Sequence, residues 1–127
     1  LAVISAYRYN SDYDRLYGYY AGNNSWGVNN LKITRLEEQM KVLRNEGYFI
    51  VFSPHWGKNY CFREYQQTSL ARQIISRCKP DLIIGHGPHV FNEIHKIDNT
   101  WVLYSIGNYI FNSEENMKDN QFPHIVL

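Results

Sequence analysis

Apolar residues along this chain fall into short runs separated by longer mixed stretches. Three of the runs are continuous, at residues 1–7, 48–53 and 81–85. Such runs are typical of strands that are covered on both faces of a sheet. Residues 90–97 and 101–106 instead alternate on either side of a polar turn, which predicts a β-hairpin.

Two helices are predicted between these strands. Thr34, followed by Glu37 three residues later, forms a capping box, and Gly47 offers a left-handed stop for the first helix. The second helix, residues 63–78, is closed by Pro80. Its apolar face consists of Leu70, Ala71, Ile74, Ile75 and Cys78. Strand 48–53, this helix and strand 81–85 form a βαβ unit, so the two strands are expected to be parallel.

Residues 8–30 show neither a helical nor a strand period and are predicted to form a long loop, as are the acidic, amide-rich residues 112–121. The first loop is rich in tyrosine and also contains Trp26. These rings could form a stacking surface for a sugar or peptide polymer. The alternative, which we favour, is that they pack over the edge of the sheet.

The composition limits the classes of protein to which the chain can belong. With 127 residues, 44% of them apolar and 20% charged, residues 1–127 are expected to form one globular unit. The net charge of +1 and the lack of a basic cluster argue against nucleic acid as a partner. No apolar run approaches the roughly 18 residues that a membrane span needs. Cys61 and Cys78 form no CxxC motif and are not expected to pair.

Three histidines occur where the predicted parallel strands end. His55 follows the strand 48–53, and His86 and His89 follow the strand 81–85 within a loop that contains Gly85 and Gly87. Because parallel strands end at the same edge of a sheet, we expect the three imidazoles to converge there. Neutral imidazole is a ligand for Zn²⁺, Mn²⁺ and Fe ions, so these histidines are candidate metal ligands. His95 and His124 are expected to be structural or surface residues.

The stretches HWG (55–57), DLIIGHGPHV (81–90) and YSIGNYIF (104–111) together resemble the CapA family of bacterial capsule (poly-γ-glutamate) biosynthesis proteins. The resemblance runs from about residue 31 to residue 112 and leaves out the tyrosine-rich loop. It implies the carboxyl-terminal half of a calcineurin-like metallophosphoesterase α/β sandwich, so that residues 1–127 would be a single partial domain.

The resemblance also implies a site and a function. His55, His86 and His89 would be ligands of divalent metal ions, Mn, Zn or Fe, with two ions in the complete domain. The function would be metal-dependent, phosphoesterase-like hydrolysis in capsule biosynthesis at the bacterial cell envelope or outside the cytoplasm. The substrate would be an anionic polymer or a phosphoester, and a membrane-bound synthase would be a partner.

The chain departs from the family pattern in several positions. Gly87 stands where a further histidine is usual, and Asn59 stands where the family has a glutamate. Asn29–Asn30 is followed by Leu31 rather than by histidine, and the family's aspartate ligands have no counterpart here. Asn108 matches a signature residue, although a role in a turn explains it equally well. We therefore expect the isolated fragment to be inactive, and a non-catalytic scaffold that binds polymer is the alternative function.

Overall fold

The computed structural model describes residues 1–108 and confirms the predicted α/β fold. Its elements in chain order are β1 (Ala2–Tyr7), α1 (Ser11–Tyr17), α2 (Ile33–Asn45), β2 (Ile50–His55), α3 (Tyr65–Cys78), β3 (Leu82–Ile84), β4 (Ile94–Ile97) and β5 (Thr100–Leu103). The strands form one sheet in the order β1-β2-β3-β5-β4. Strands β1, β2, β3 and β5 are parallel, whereas β4 runs antiparallel to β5. The predicted βαβ unit and the hairpin are both present.

The bounds of β2 differ from those predicted from the sequence. The strand predicted at 48–53 lies at Ile50–His55 and continues through Pro54. Proline has no N–H to donate, but the carbonyl of Pro54 accepts a hydrogen bond from the backbone N–H of His86 at 3.0 Å. The strand is therefore held at its end by the next strand's loop, and His55 is its last residue.

Helix α1 lies within the region that was predicted to be a loop. The side chain of Asn10 caps it by accepting hydrogen bonds from the backbone N–H groups of Asp12 and Tyr13, and Gly18 ends it in the left-handed conformation. No residue of α1 is buried, which explains why the sequence shows no apolar period there. The caps were the only local signal for this helix.

The predicted capping box at Thr34 is also wrong. Helix α2 begins at Ile33, and its N-cap residue Lys32 makes no side-chain hydrogen bond. The capping box of this fold is instead at α3, where Glu64 and Gln67 exchange hydrogen bonds between their side chains and backbone N–H groups.

The hydrophobic core lies between one face of the sheet and helices α2 and α3. It includes Ile50, Phe52, Ile83 and Val102 from the strands, with Leu36, Met40, Ile74 and other helix residues packed on them. The opposite face carries the row Val3, Val51, Leu82 and Trp101, which are paired across the four parallel strands. On this second face Val3 is 61% exposed and Trp101 is 50% exposed.

The described residues contain no helix that is long and apolar enough to span a membrane. Cys61 and Cys78 do not pair with each other, as predicted, and both are free thiols. The predicted surface loop 112–121 and His124 lie outside the described residues.

Candidate metal site

The carboxyl ends of β1, β2 and β3 meet at one edge of the sheet and bring three side chains into a row. Tyr7 is paired with His55 in the register of β1 and β2, and His55 forms a parallel bridge to His86 beyond the end of β3. Residues paired in this way project from the same face of a sheet. The prediction that His55 and His86 emerge at the same edge of the sheet is therefore confirmed.

The rings of this row contact one another closely. The centroids of His55 and His86 are 5.0 Å apart, and the two ring planes are nearly perpendicular at 73°. Tyr7 stacks on the other side of His55, with a centroid distance of 4.0 Å and an angle of 18°. The imidazole of His55 is thus held between a phenol ring and the second histidine.

Partial burial keeps the row uncharged. Burial, followed by repulsion from the positive charges that His86 and His89 could carry, lowers the pKa of His55 from 6.5 to about 4. Burial also lowers the pKa of His86. Burial and the neighbouring phenols raise the pKa of Tyr7 to about 12, so this phenol keeps its proton at neutral pH. Neutral imidazoles have a free ring nitrogen, which is the form that binds a metal ion.

His89 is oriented by its own set of contacts. Its backbone has a positive φ of 63°, which is uncommon for a residue with a side chain. Its Nδ1 lies 2.9 Å from Oδ1 of Asn108, and its ring stacks on Tyr60 with a centroid distance of 5.5 Å. With the amide oxygen as acceptor, Nδ1 carries the proton and Nε2 is left with the free lone pair. Asn108 therefore contacts a candidate metal ligand directly. From the sequence, a role at the site and a role in a turn explained this residue equally well.

Residues 1–108 include no group of three or more His, Cys, Asp or Glu side chains arranged to hold a metal ion. The expectation that His55, His86 and His89 converge as three ligands of one ion is therefore not met within these residues, where only His55 and His86 adjoin. A catalytic zinc site uses about three protein ligands, frequently including a carboxylate. The neutral, adjoining rings of His55 and His86 fit one part of such a ligand shell. A carboxylate at this edge is not supplied by the described part of the chain.

Gly87 is required by the backbone of the histidine loop. Its φ is +120°, and a Cβ there would lie 2.5 Å from the carbonyl oxygen of Trp56 and 3.2 Å from Cε1 of His55. The sequence suggested that glycine at this position replaces a polar group of the family pattern. In this fold the position has no room for any side chain, so the close approach of the loop to β2 explains the glycine.

His95 takes no part in the row at the sheet edge. It lies on β4, and its Nδ1 is 2.8 Å from Nη1 of Arg63 while its ring contacts Tyr104 edge-on. These contacts agree with the structural role that was predicted for it. Asn59 is exposed in the loop after β2.

The tyrosine-rich region packs mainly on itself. Tyr7 contacts Tyr13, Tyr19 and Tyr20, all at centroid distances of 5.2 to 6.3 Å. Tyr20 is buried, and its hydroxyl donates to the carbonyl of Arg8 and accepts from the N–H of Asn10. The favoured interpretation, packing over the sheet edge, is thereby supported, while Trp26 is fully exposed.

Sequence reasoning missed two residues of this edge, Tyr7 and Arg8. Tyr7 was assigned to the first strand and Arg8 to the loop that follows it, and neither was predicted to belong to the site. The signal was the position of Tyr7 at the end of an apolar run, which would have been informative had the pairing of β1 beside β2 been known.

Comparison with known proteins identifies the family. The model of the family described as "Bacterial capsule synthesis protein PGA_cap" matches residues 2–113. The chain is 32% identical over 62 residues to "PGA biosynthesis protein CapA" of Bacillus subtilis (strain 168), covering 49% of this chain and 16% of that relative. It is 32% identical over 63 residues to "Capsule biosynthesis protein CapA" of Bacillus anthracis, covering 49% of this chain and 15% of the relative.

The matched segment thus spans about a sixth of the length of these curated relatives. No solved structure matches the chain significantly. Since the family model covers most of the 127 residues and agrees with both relatives, the chain belongs to the CapA family of bacterial capsule synthesis proteins.

Proposed function

We propose that this chain supplies part of a divalent metal site in a phosphoesterase-like hydrolase of capsule biosynthesis. The observation that carries the proposal is the adjoining pair of His55 and His86, 5.0 Å apart at the carboxyl edge of the parallel strands. His86 is the ligand in the loop that follows β3, and His55 is the ligand held by Tyr7. His89, oriented by Asn108, is the third ligand of the proposal.

Bound ions, Mn, Zn or Fe, would supply Lewis-acid stabilisation of an oxyanion and a bound water of lowered pKa. The residues of this chain hold the imidazoles of His55 and His86 in their neutral form, and Tyr7 covers one side of His55. The substrate of the proposal is an anionic polymer or a phosphoester. Its setting is the cell envelope, outside the cytoplasm, with a membrane-bound synthase as partner.

We also propose that residues 1–127 are one portion of a larger domain. The second face of the sheet supports this, because Val3, Trp101 and Ile94 leave apolar surface about half exposed on a mostly parallel sheet. Sheets of this kind are normally covered on both faces. The carboxylate ligands would come from the same additional layer, and the isolated fragment would then bind metal weakly and hydrolyse no phosphoester.

One observation favours the alternative, a non-catalytic scaffold that binds polymer. Residues 1–108 bring together no complete ligand set, although they contain the histidines of the family motif. A scaffold would keep the fold and the edge without needing the metal.

Measurement of metal content separates these two functions. The full-length protein is loaded with Mn, Zn or Fe, dialysed and analysed by plasma mass spectrometry, together with His86→Ala and the matched control His95→Ala. We expect His86→Ala to lose most of the bound metal and its hydrolysis of an aryl phosphate, because one ligand is missing, while His95→Ala keeps both. Equal metal content in all three proteins would refute the metal site and leave the scaffold.

A further inference from the structure

A cavity opens beside the histidine pair at the end of β1. Its volume is about 190 Å³, and it lies between the residues that follow β1 and those at the end of β2. Tyr7, Arg8 and Asn10 line one side, and His55 lies on the other. Because His55 belongs both to the cavity and to the row of rings, a group bound in the cavity would lie next to the proposed metal site.

Arg8 lines this cavity and also a second cavity next to α3 that includes Gln66, and two neighbouring elements hold it between them. Its backbone N–H donates to the carbonyl of His55 at 2.9 Å, which extends the pairing of β1 with β2. Its Nη2 donates to Oε1 of Gln66, in the first turn of α3, at 2.6 Å. No acceptor for the remaining N–H groups of its guanidinium is found among residues 1–108.

The charge of Arg8 is not neutralised by a carboxylate within the described part of the chain. Four ion pairs occur there, and each joins another arginine to an acidic residue: Arg15 to Asp12, Arg44 to Asp81, Arg63 to Glu93 and Arg77 to Glu37. Asp14, on the neighbouring helix α1, instead accepts a hydrogen bond from the hydroxyl of Tyr9. Arg8 thus combines an unmatched charge with unused donors at the wall of a cavity.

We propose that Arg8 binds an oxyanion of the substrate, a carboxylate or a phosphate, in the cavity beside His55. A guanidinium presents parallel N–H donors that match the planar oxygens of both groups. Gln66 is the positioning residue, since it fixes the guanidinium without cancelling its charge as a carboxylate would. The inference rests on the proposed function, because it places the substrate's anionic group next to the histidines.

Calorimetric titration of the full-length protein tests this inference with two probes, inorganic phosphate and a hexaglutamate peptide. The variants are Arg8→Gln and a matched control, Arg72→Gln, which removes an exposed charge on α3 that does not line the cavity. We expect Arg8→Gln to weaken binding of at least one probe about tenfold, as the loss of a charge-assisted hydrogen bond requires. Arg72→Gln should change it less than about twofold, as expected for an exposed charge. The probe that responds identifies the anion as phosphate or carboxylate.

Gln66→Leu serves as a second variant that leaves Arg8 in place. It should weaken binding of the same probe a few-fold, because the guanidinium loses its anchor, and Arg8→Lys should recover part of the affinity. The inference is overturned if Arg8→Gln has no larger effect than Arg72→Gln, or if neither probe binds the wild-type protein.

Its failure is distinguishable from failure of the proposed function. If the bound metal depends on His86 but anion binding does not depend on Arg8, only the inference about Arg8 is refuted. If anion binding depends on Arg8 but the protein binds no metal, only the proposed metal site is refuted.

Discussion

Substitution of Gly87 by alanine is the sharpest test of how the histidine loop is built. In the structure a Cβ at this position would lie 2.5 Å from the carbonyl oxygen of Trp56, well inside contact distance. Trp56 cannot move away easily, because its ring is buried and its backbone N–H donates to the carbonyl of His86 at 2.9 Å. The added methyl group must therefore displace the loop that carries His86 and His89.

Two effects contribute to the expected loss of stability. A side chain at positive φ costs about 1–2 kcal/mol relative to glycine. A methyl group forced into a packed region costs about a further 1–3 kcal/mol. The sum predicts that Gly87→Ala lowers the free energy of unfolding by about 3 kcal/mol.

Gly47→Ala is the matched control for the first of these effects. Gly47 also has a positive φ, of 81°, but a Cβ there meets no atom within 4 Å. It should therefore show the backbone cost alone, about 1–2 kcal/mol.

Urea unfolding monitored by fluorescence measures both variants against the wild-type protein. Metal content measured on the same samples should fall in Gly87→Ala and stay unchanged in Gly47→Ala, because only the former moves the histidines. If Gly87→Ala were no more destabilising than Gly47→Ala, the close approach of the loop to Trp56 would not explain the glycine.

Two further predictions concern titratable groups. Burial, and then the negative charge of Glu37, raises the pKa of Cys78 to about 11, whereas Cys61 is partly exposed. In the folded protein at pH 8, iodoacetamide should therefore alkylate Cys61 at least about tenfold faster than Cys78. Equal alkylation rates, measured by peptide mass spectrometry, would contradict the burial of Cys78. In metal-free protein, the lowered pKa of His55 means that the unfolded chain binds more protons than the folded chain between pH 6.5 and about 4, so stability falls as the pH falls through this window. The full shift corresponds to at most about 3 kcal/mol, which solvent screening of the half-buried ring reduces to about 1 kcal/mol. His55→Gln should flatten the pH profile of urea unfolding by that amount, and an unchanged profile would show that His55 does not titrate in this way.

The fold class could be predicted from the sequence, and so could the βαβ unit and the placement of His55 and His86 at one edge. These follow from local pattern, because continuous apolar runs mark buried strands and the residues that follow parallel strands share an edge. The family resemblance also came from short local motifs, and the comparisons confirmed it.

How that edge is built depends on contacts between residues that are distant along the chain. Pairing of β1 beside β2 placed Tyr7 on His55 and Arg8 beside the cavity, and no local period encodes which strands become neighbours. The caps that define α1 and α3 depend on side-chain hydrogen bonds formed in three dimensions, so the exposed helix α1 was missed and the capping box was assigned to the wrong helix. From the sequence alone Gly87 was interpreted as the loss of a polar group. The carbonyl of Trp56 that excludes a side chain there belongs to the segment after β2, which is distant along the chain.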